Sequence, residues 1–162
     1  MTRQRLSNEQ WGFSSNCFVC EPTNAVGLRQ RFFHDTELDL VVADLELGPQ
    51  HSGAPSYVHG GVQLALLDEA MAWAAIAVAE RFAVIATLAS TFHHPIRVGK
   101  QYRLEASIDA RTDTQLSGSA RILDDQGRTR TEATATLVVL SAAQAADAGA
   151  TPDASTARFT RP

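Results

Sequence analysis

A long apolar segment runs from Val62 to Ala79 and limits the folds that this chain can adopt. Its polar residues are Gln63, Asp68 and Glu69. The segment contains no helix-breaking residue and is rich in Ala, Leu and Met, which predicts an α-helix that extends to about Arg81. Because the helix is apolar around most of its circumference, we expect it to be buried on most sides. A carboxylate in the middle of a buried helix costs free energy unless it has a partner or a use, so Asp68 needs an explanation.

The composition narrows the possible functions. The chain has 162 residues, enough for one domain with a hydrophobic core, and its formal net charge is -4. Arg and Lys are scattered singly, whereas nucleic-acid-binding proteins usually carry a clustered basic face, so we predict no nucleic-acid partner. The N-terminus leads into no apolar stretch typical of a secretory signal, and two central acids disfavour insertion of the long segment into a membrane. We therefore expect a soluble, cytoplasmic protein.

The segments on either side of the helix follow the two-residue period of β-strands. The predicted strands are residues 27–35 and 38–47 before the helix, and 83–94, 102–110, 115–123 and 130–140 after it. The turns between them are short, as at the hairpin signal of residues 124–127, and short turns require antiparallel pairing. One helix against one antiparallel sheet is a two-layer α+β architecture. Because the helix is so apolar, we expect the sheet to curl around it and a second subunit to cover the rest.

The two ends of the chain differ in composition from its middle. Residues 1–16 predict an N-terminal arm, residues 17–141 the folded domain, and the Ala-rich residues 142–162 a disordered tail. The domain opens with Cys17 and Cys20, a spacing found in zinc sites and in redox pairs. No second pair of this kind follows, and no two His residues have zinc-finger spacing. We therefore predict reduced, partly buried thiols and no metal site.

The residues at the start of the helix resemble a known family. The segment His59-Gly60-Gly61, followed after six further residues by Asp68, resembles the motif of hotdog-fold acyl-CoA thioesterases of the phenylacetate-degradation type. This resemblance implies a hotdog fold, in which a curled antiparallel sheet wraps around one long central helix. It also implies self-association as a homodimer or as a homotetramer, a dimer of dimers.

Two further segments extend the resemblance to about residues 16–140. Phe92 to Gly99, which contains Pro95, resembles the F-x-x-P-x-x-x-G segment that closes the strand after the helix in this family. The cysteine pair followed by Gly27-Leu28 resembles the N-terminal segment of a subgroup of the same superfamily.

The resemblance implies hydrolysis of an acyl-CoA thioester to a free carboxylic acid and CoA. Backbone N–H groups of Gly60 and Gly61 would lie at the positive end of the helix dipole without intrahelical partners, which suits the oxyanion that develops on the thioester carbonyl. His59 either donates to the same carbonyl or holds the loop in place. Asp68 acts as general base for water or as nucleophile that forms a mixed anhydride, and the sequence leaves both roles open.

The spacing of these residues argues for a site shared between subunits. Asp68 lies seven residues after Gly61, about 10 Å along the helix axis, too far for both to contact the reacting carbonyl in one subunit. The family places its active site between two subunits, so we expect Asp68 to act across a dimer interface. Glu69 is offset from Asp68 by about 100° around the helix, and we expect it to pair with a basic residue on another element or subunit.

The helix start and the following strand are expected to line the substrate site. Some relatives carry Ser or Thr on that strand at the position of Ile85, and Thr87, two residues on, is predicted to face the same way. Gly53 stands where some relatives carry Asn or Gln. The predicted substrate-binding residues are Val62, Ala86, Thr87, Ser90 and, for the CoA phosphates, Arg97.

Two alternatives remain at this stage. A hotdog dehydratase or hydratase acting on acyl-CoA or acyl carrier protein would pair a His with a helix acid, but the motifs typical of those enzymes do not occur here. An acyl-CoA-binding sensor without catalysis would usually carry an attached regulatory module, and the residues before the predicted domain are too few for one. The sequence contains no glycine-rich phosphate loop and no G-x-S-x-G motif, so we predict no cofactor.

Overall fold

The computed structural model describes residues 2–150, 153 and 155–162 of the chain. Its strands are β1 (Arg3–Leu6), β2 (Phe32–Asp35), β3 (Leu40–Glu46), β4 (Ser52–Ala54), β5 (Tyr57–Val58), β6 (Ala83–Phe92), β7 (Gln101–Arg111), β8 (Gln115–Leu123) and β9 (Thr129–Val139). Its α-helices are α1 (Gly60–Ala77) and α2 (Ala142–Asp147), and short 3-10 helices lie at Asn8–Trp11, Pro49–His51 and Ala157–Phe159.

The main layer is a seven-stranded antiparallel sheet with the strand order β1-β2-β3-β7-β8-β9-β6. The four strands predicted after the helix are confirmed within two residues at each end, and β4 and β5 form a separate small hairpin that the sequence did not predict. The first predicted strand is only partly correct, because β2 begins at Phe32. Before it, Arg29 has a positive φ of 53°, and Leu28 and Gln30 donate their N–H groups to Phe18 and Val19 instead of to the sheet.

The sheet wraps around α1, as predicted, and the helix contacts β2, β3 and the four strands β6 to β9. Leu66, Leu67 and Met71 are fully buried against the sheet. The opposite side of the helix, which carries Leu64, Ala65, Asp68 and Ala72, is only half-buried. The sheet of one protomer therefore covers one side of the helix and leaves the Asp68 side less covered.

The start of α1 is held by three specific hydrogen bonds. Gln63, buried in the first turn, donates from Nε2 to the Val58 carbonyl at 3.1 Å and accepts at Oε1 from Thr131 Oγ1 at 2.6 Å. The backbone N–H of His59 donates to the His51 carbonyl at 2.8 Å. The polar residue near the start of the apolar segment thus fixes the position of the helix N-terminus between β5 and β9.

The end of α1 comes earlier than predicted. The helix stops at Ala77, and Glu80 adopts a left-handed conformation with φ of 54° that turns the chain into β6. Among the described helices, none combines the length and apolar character that crossing a membrane would require.

The C-terminal segment differs from the predicted disordered tail. Residues 142–147 form α2, whose Ser141 and Gln144 make a reciprocal capping box, and Phe159 packs between Trp11 and Phe82 in a second small core. Arg158 also pairs with Glu80 at 2.7 Å. The average composition of the C-terminal segment did not predict this ordered structure. The segment is poor in large apolar side chains, but Phe159 anchors it to the domain.

Candidate active site

The N-terminus of α1 presents one free backbone donor. His59 is the N-cap residue, and its Nδ1 accepts the N–H of Gly61 at 2.8 Å. The Gly61 N–H is therefore occupied, which corrects the expectation that both glycines offer donors to substrate. The N–H of Gly60 has no hydrogen-bond partner among the described residues. Because Nδ1 acts as acceptor, a neutral His59 carries its proton on Nε2, which leaves that atom as a second donor.

Two of the glycines, Gly60 and Gly53, lie close to other groups at this terminus, but of the two only Gly53 is packed more tightly than an ordinary Cβ contact allows. A Cβ on Gly60 would lie 3.4 Å from the ring of Phe92, which is half exposed at the end of β6. A Cβ on Gly53 would lie 3.0 Å from His59 Cδ2 and 3.1 Å from His59 Cα. Gly53 thus lets β4 lie against the His59 backbone, and an Asn or Gln at this position would have to displace it. Phe92 ends the strand that was expected to line the substrate site, although it is not among the individually predicted substrate-binding residues.

Asp68 lies in the middle of α1 with no partner. The side chain is half-buried, and it makes no hydrogen bond or ion pair with any residue that the structure describes. Burial raises the pKa of its carboxyl, and the negative charge of the Cys17 thiolate raises it further. Asp68 lies eight positions after Gly60, about 12 Å along the helix. Asp68 and the free donor of Gly60 therefore do not converge on one atom within a single protomer.

Strand β6 contains a bulge that changes which residues face the helix. Ile85 is paired with Leu137 and Thr87 with Thr136, neighbours on β9, so Ala86 is the extra residue. Leu137 is fully buried against α1, and Thr136 faces the other side of the sheet. The prediction that Thr87 faces the same way as Ile85 is wrong, because the bulge reverses the alternation.

The remaining predicted substrate residues, unlike Thr87, lie near the start of the helix. Ser90 opposes the buried Ala133 and faces the helix, and Val62 lies half-buried in the first turn of α1. Arg97 is exposed, with its guanidinium 5.3 Å from the centre of the Tyr57 ring in the strand that leads to His59. The structure therefore brings Val62, Ser90 and Arg97 to the region of the helix start and places Thr87 on the outer face of the sheet.

Glu69, the neighbour of Asp68, contacts the cysteine pair. Cys17 Sγ lies 3.5 Å from Glu69 Oε1, which replaces the basic partner expected from the sequence. Burial raises the pKa of the Glu69 carboxyl to about 7. A hydrogen bond from Cys20 lowers the pKa of the Cys17 thiol to about 5, and the same bond raises the pKa of Cys20. Sequence spacing alone offered no sign that residues 17, 20 and 69 meet.

Comparison with known proteins identifies similar families and folds. Residues 56–131 match the family model of the thioesterase superfamily. A thioesterase superfamily protein of known structure superposes with a TM-score of 0.67 at 21% identity, covering 72% of this chain and 57% of that one. This chain therefore spans little more than half the length of that relative. No curated protein matches the sequence significantly.

Two further solved structures share the fold. The E. coli PaaI protein from the phenylacetic acid degradation operon superposes with a TM-score of 0.56 at 19% identity, over 61% of this chain and 75% of that one. An acyl-CoA hydrolase from Staphylococcus aureus, in complex with butyryl coenzyme A, superposes with a TM-score of 0.60 at 21% identity, over 65% of each chain. The predicted resemblance and the hotdog fold are confirmed. The segment 56–131, which contains the His59-Gly60-Gly61 motif and Asp68, is thus similar to the thioesterase superfamily, and the chain shares the hotdog fold of these solved structures.

Proposed function

We propose that this protein hydrolyses an acyl-CoA thioester to a free carboxylic acid and CoA. The main support for this proposal comes from Asp68. Its carboxylate lies at the centre of a largely apolar helix and forms no hydrogen bond or ion pair with any described residue. A partly desolvated carboxylate without a partner costs free energy in the folded protein. The presence of the carboxylate is explained if it binds a water molecule or a substrate.

The start of α1 supports polarisation of the thioester carbonyl. The free N–H of Gly60 and the Nε2–H of His59 lie at the same helix end, where the helix dipole adds positive potential. Donors held in place before the reaction stabilise the developing oxyanion without reorganising during it. In this proposal Gly61 contributes indirectly, since its N–H orients the His59 ring. Val62, Ser90 and Phe92 line the approach to the carbonyl, and Arg97 contacts a CoA phosphate.

A second copy of the chain is proposed to complete the site. Strand β6 is at the edge of the sheet, so one side of its backbone pairs with no strand in the described part of the chain, and Val84 on its outer face is half exposed. Pairing of two such edges would bring a second helix towards the half-covered side of α1 that carries Asp68. Asp68 of one subunit would then face the Gly60 N–H of the other, which removes the 12 Å separation estimated within one subunit.

Thiol release from a panel of short, medium, long and aromatic acyl-CoAs tests the activity. We expect turnover of at least one of them, and near-complete loss in Asp68→Asn. The matched control is Asp113→Asn, the same change in an exposed turn. Tight acyl-CoA binding without turnover across the panel would contradict the proposal and favour a sensor. Enoyl absorbance without thiol release would favour a dehydratase or hydratase.

Mixing two inactive variants tests the shared site. Random dimers of Asp68→Asn and Gly60→Val subunits contain about half heterodimers, each with one intact site of two, so about a quarter of the unmodified activity should return. A site formed within one subunit would return none. Single turnover in ¹⁸O-labelled water then distinguishes the two roles of Asp68. A general base places ¹⁸O in the first carboxylic acid released. If Asp68 is the nucleophile and water attacks the Asp68 carbonyl carbon of the mixed anhydride, the acid carries an Asp68 ¹⁶O and the ¹⁸O enters the Asp68 carboxylate.

A further inference from the structure

The structure brings three potential metal ligands together beside α1. We propose that Cys17, Cys20 and Glu69 bind a thiophilic divalent cation of the zinc class. One donor atom from each residue lies within 4.8 Å of the other two, the only such group among the residues that the structure describes. This inference is independent of the proposed hydrolysis, because it concerns a separate set of side chains.

The distances suit tetrahedral coordination. Zinc binds thiolate sulfur at about 2.3 Å and carboxylate oxygen at about 2.1 Å, so a sulfur and an oxygen on one ion lie about 3.6 Å apart. Cys17 Sγ and Glu69 Oε1 are 3.5 Å apart before any ion is added. Little movement of either side chain is therefore needed to place both in the coordination sphere.

The loop that carries the cysteines is held in place by its own contacts. Leu28 N–H donates to the Phe18 carbonyl at 2.7 Å and Gln30 N–H donates to the Val19 carbonyl at 2.8 Å. A Cβ on Gly27 would lie 2.5 Å from the Phe18 oxygen, so this approach requires glycine. Metal sites need ligands that are already positioned, and these bonds position the pair.

Two N–H donors point at the sulfur atoms. The Val19 backbone N–H donates to Cys17 Sγ at 3.3 Å, and Asn8 Nδ2 donates to Cys20 Sγ at 3.6 Å. Such bonds stabilise negative charge on the ligand atoms and fix their orientation, as outer ligands do in metal sites.

The negative charge of this cluster and the cavity beside it favour a bound cation over a disulfide between Cys17 and Cys20. No described Lys, Arg or His forms an ion pair with Glu69 or Asp68, so this cluster of thiols and carboxylates has no protein counter-ion. A disulfide between Cys17 and Cys20 would leave Glu69 without a role, whereas a divalent ion uses all three groups. Cys20 also borders a cavity of about 490 Å³, which leaves room for water as fourth ligand.

The bound ion would join the N-terminal loop to the central helix. Glu69 belongs to α1 and the cysteines precede β2, so coordination would link segments that are about 50 residues apart in the sequence. Closing a long loop in this way stabilises the folded state by reducing the conformational freedom of the unfolded chain.

Metal titration of the reduced, metal-free protein tests the site directly. We expect one equivalent of Zn²⁺ to bind in competition with a chromogenic chelator, and Co²⁺ to give sulfur-to-cobalt charge-transfer absorption. The chain has only two cysteines, so that absorption reports this pair. Failure of the unmodified protein to bind either ion, or disulfide formation in place of metal uptake, would overturn the proposal.

Substitutions then assign the ligands. Cys17→Ser should abolish the charge-transfer band or halve it, and Glu69→Gln should weaken the Zn²⁺ Kd at least about tenfold while keeping the band. Glu46→Gln, an exposed carboxylate on β3, is the matched control and should bind as the unmodified protein does. Circular dichroism of each metal-free variant checks that it folds. A folded Glu69→Gln variant with unchanged affinity would rule out the carboxylate as a ligand.

Discussion

Asp68 and Glu69 are adjacent in the sequence, but they lie on different sides of α1 and meet different surroundings. The Asp68 side chain has no partner among the described residues, whereas Glu69 contacts Cys17 and approaches Cys20. One residue of helical rotation, about 100°, separates a carboxylate open to a ligand from one held inside the protomer. Adjacent acids on a buried helix thus need not share a role, and their surroundings decide what each does.

Asp124 provides a third acid for this comparison. It lies in the β8–β9 hairpin and accepts from the backbone N–H groups of Gln126 and Arg128 and from the side chains of Arg128 and Arg130. Desolvation raises the pKa of Asp124, but the bonds from Arg128 and Gln126 outweigh it and lower that pKa to about 2. A fully satisfied carboxylate is stabilised as an anion, while the pKa of the unsatisfied Asp68 rises.

Substitution of Asp68 should reduce catalysis far more than substitution of Glu69. We expect Asp68→Asn to lower kcat by about 10²- to 10⁴-fold, the usual contribution of a general base, and Glu69→Gln to lower it less than tenfold. Steady-state thiol release with the best acyl-CoA measures both. Equal losses of kcat in the two variants would contradict this prediction and would mean that Asp68 and Glu69 act as one unit.

Zinc affinity should show the opposite order. We expect Glu69→Gln to weaken Zn²⁺ binding at least about tenfold, because it removes a ligand, and Asp68→Asn to leave the affinity unchanged. Chelator competition on both variants measures this. A loss of zinc affinity in Asp68→Asn as large as in Glu69→Gln would place both carboxylates at the metal.

The His59 N-cap of α1 should contribute measurably to the free energy of unfolding. His59→Ala removes the side-chain acceptor of the Gly61 N–H and should cost about 1 kcal/mol of unfolding free energy, measured by urea denaturation. His59→Asn keeps a good N-cap and should recover most of that stability. If His59 also donates to the thioester carbonyl, the His59→Asn variant regains stability but keeps a lowered kcat. Recovery of both stability and kcat in this variant would mean that His59 acts only as the N-cap.

The smallest effect is the acid dependence of the Asp124 hairpin. The folded-state pKa is about 2, below the ordinary value of 3.8, so the anion stabilises the fold above about pH 4 and this contribution disappears as the pH falls through 2. Urea midpoints of the unmodified protein should therefore fall over this range more than those of Asp124→Asn. Parallel pH profiles would show that the hairpin bonds contribute nothing measurable.

Local patterns predicted most of the regular structure. The strand predicted at residues 115–123 coincides with β8, and the turn at residues 124–127 forms with Gly127 at a positive φ of 74°. These predictions succeed because alternation and turn chemistry act over neighbouring residues. The inward side of β6 was predicted incorrectly, because alternation fails at one bulged residue that only pairing with β9 reveals.

Local periodicity and motif spacing were enough to predict the central helix, the acid at its middle and the glycines at its start. Three other features are visible only in the folded chain: His59 accepts the Gly61 N–H, Phe92 lies against Gly60, and Glu69 contacts two cysteines from a distant loop. Each of these depends on segments brought together by burial of apolar surface. That burial is a property of the whole chain, so no local window of sequence contains the information.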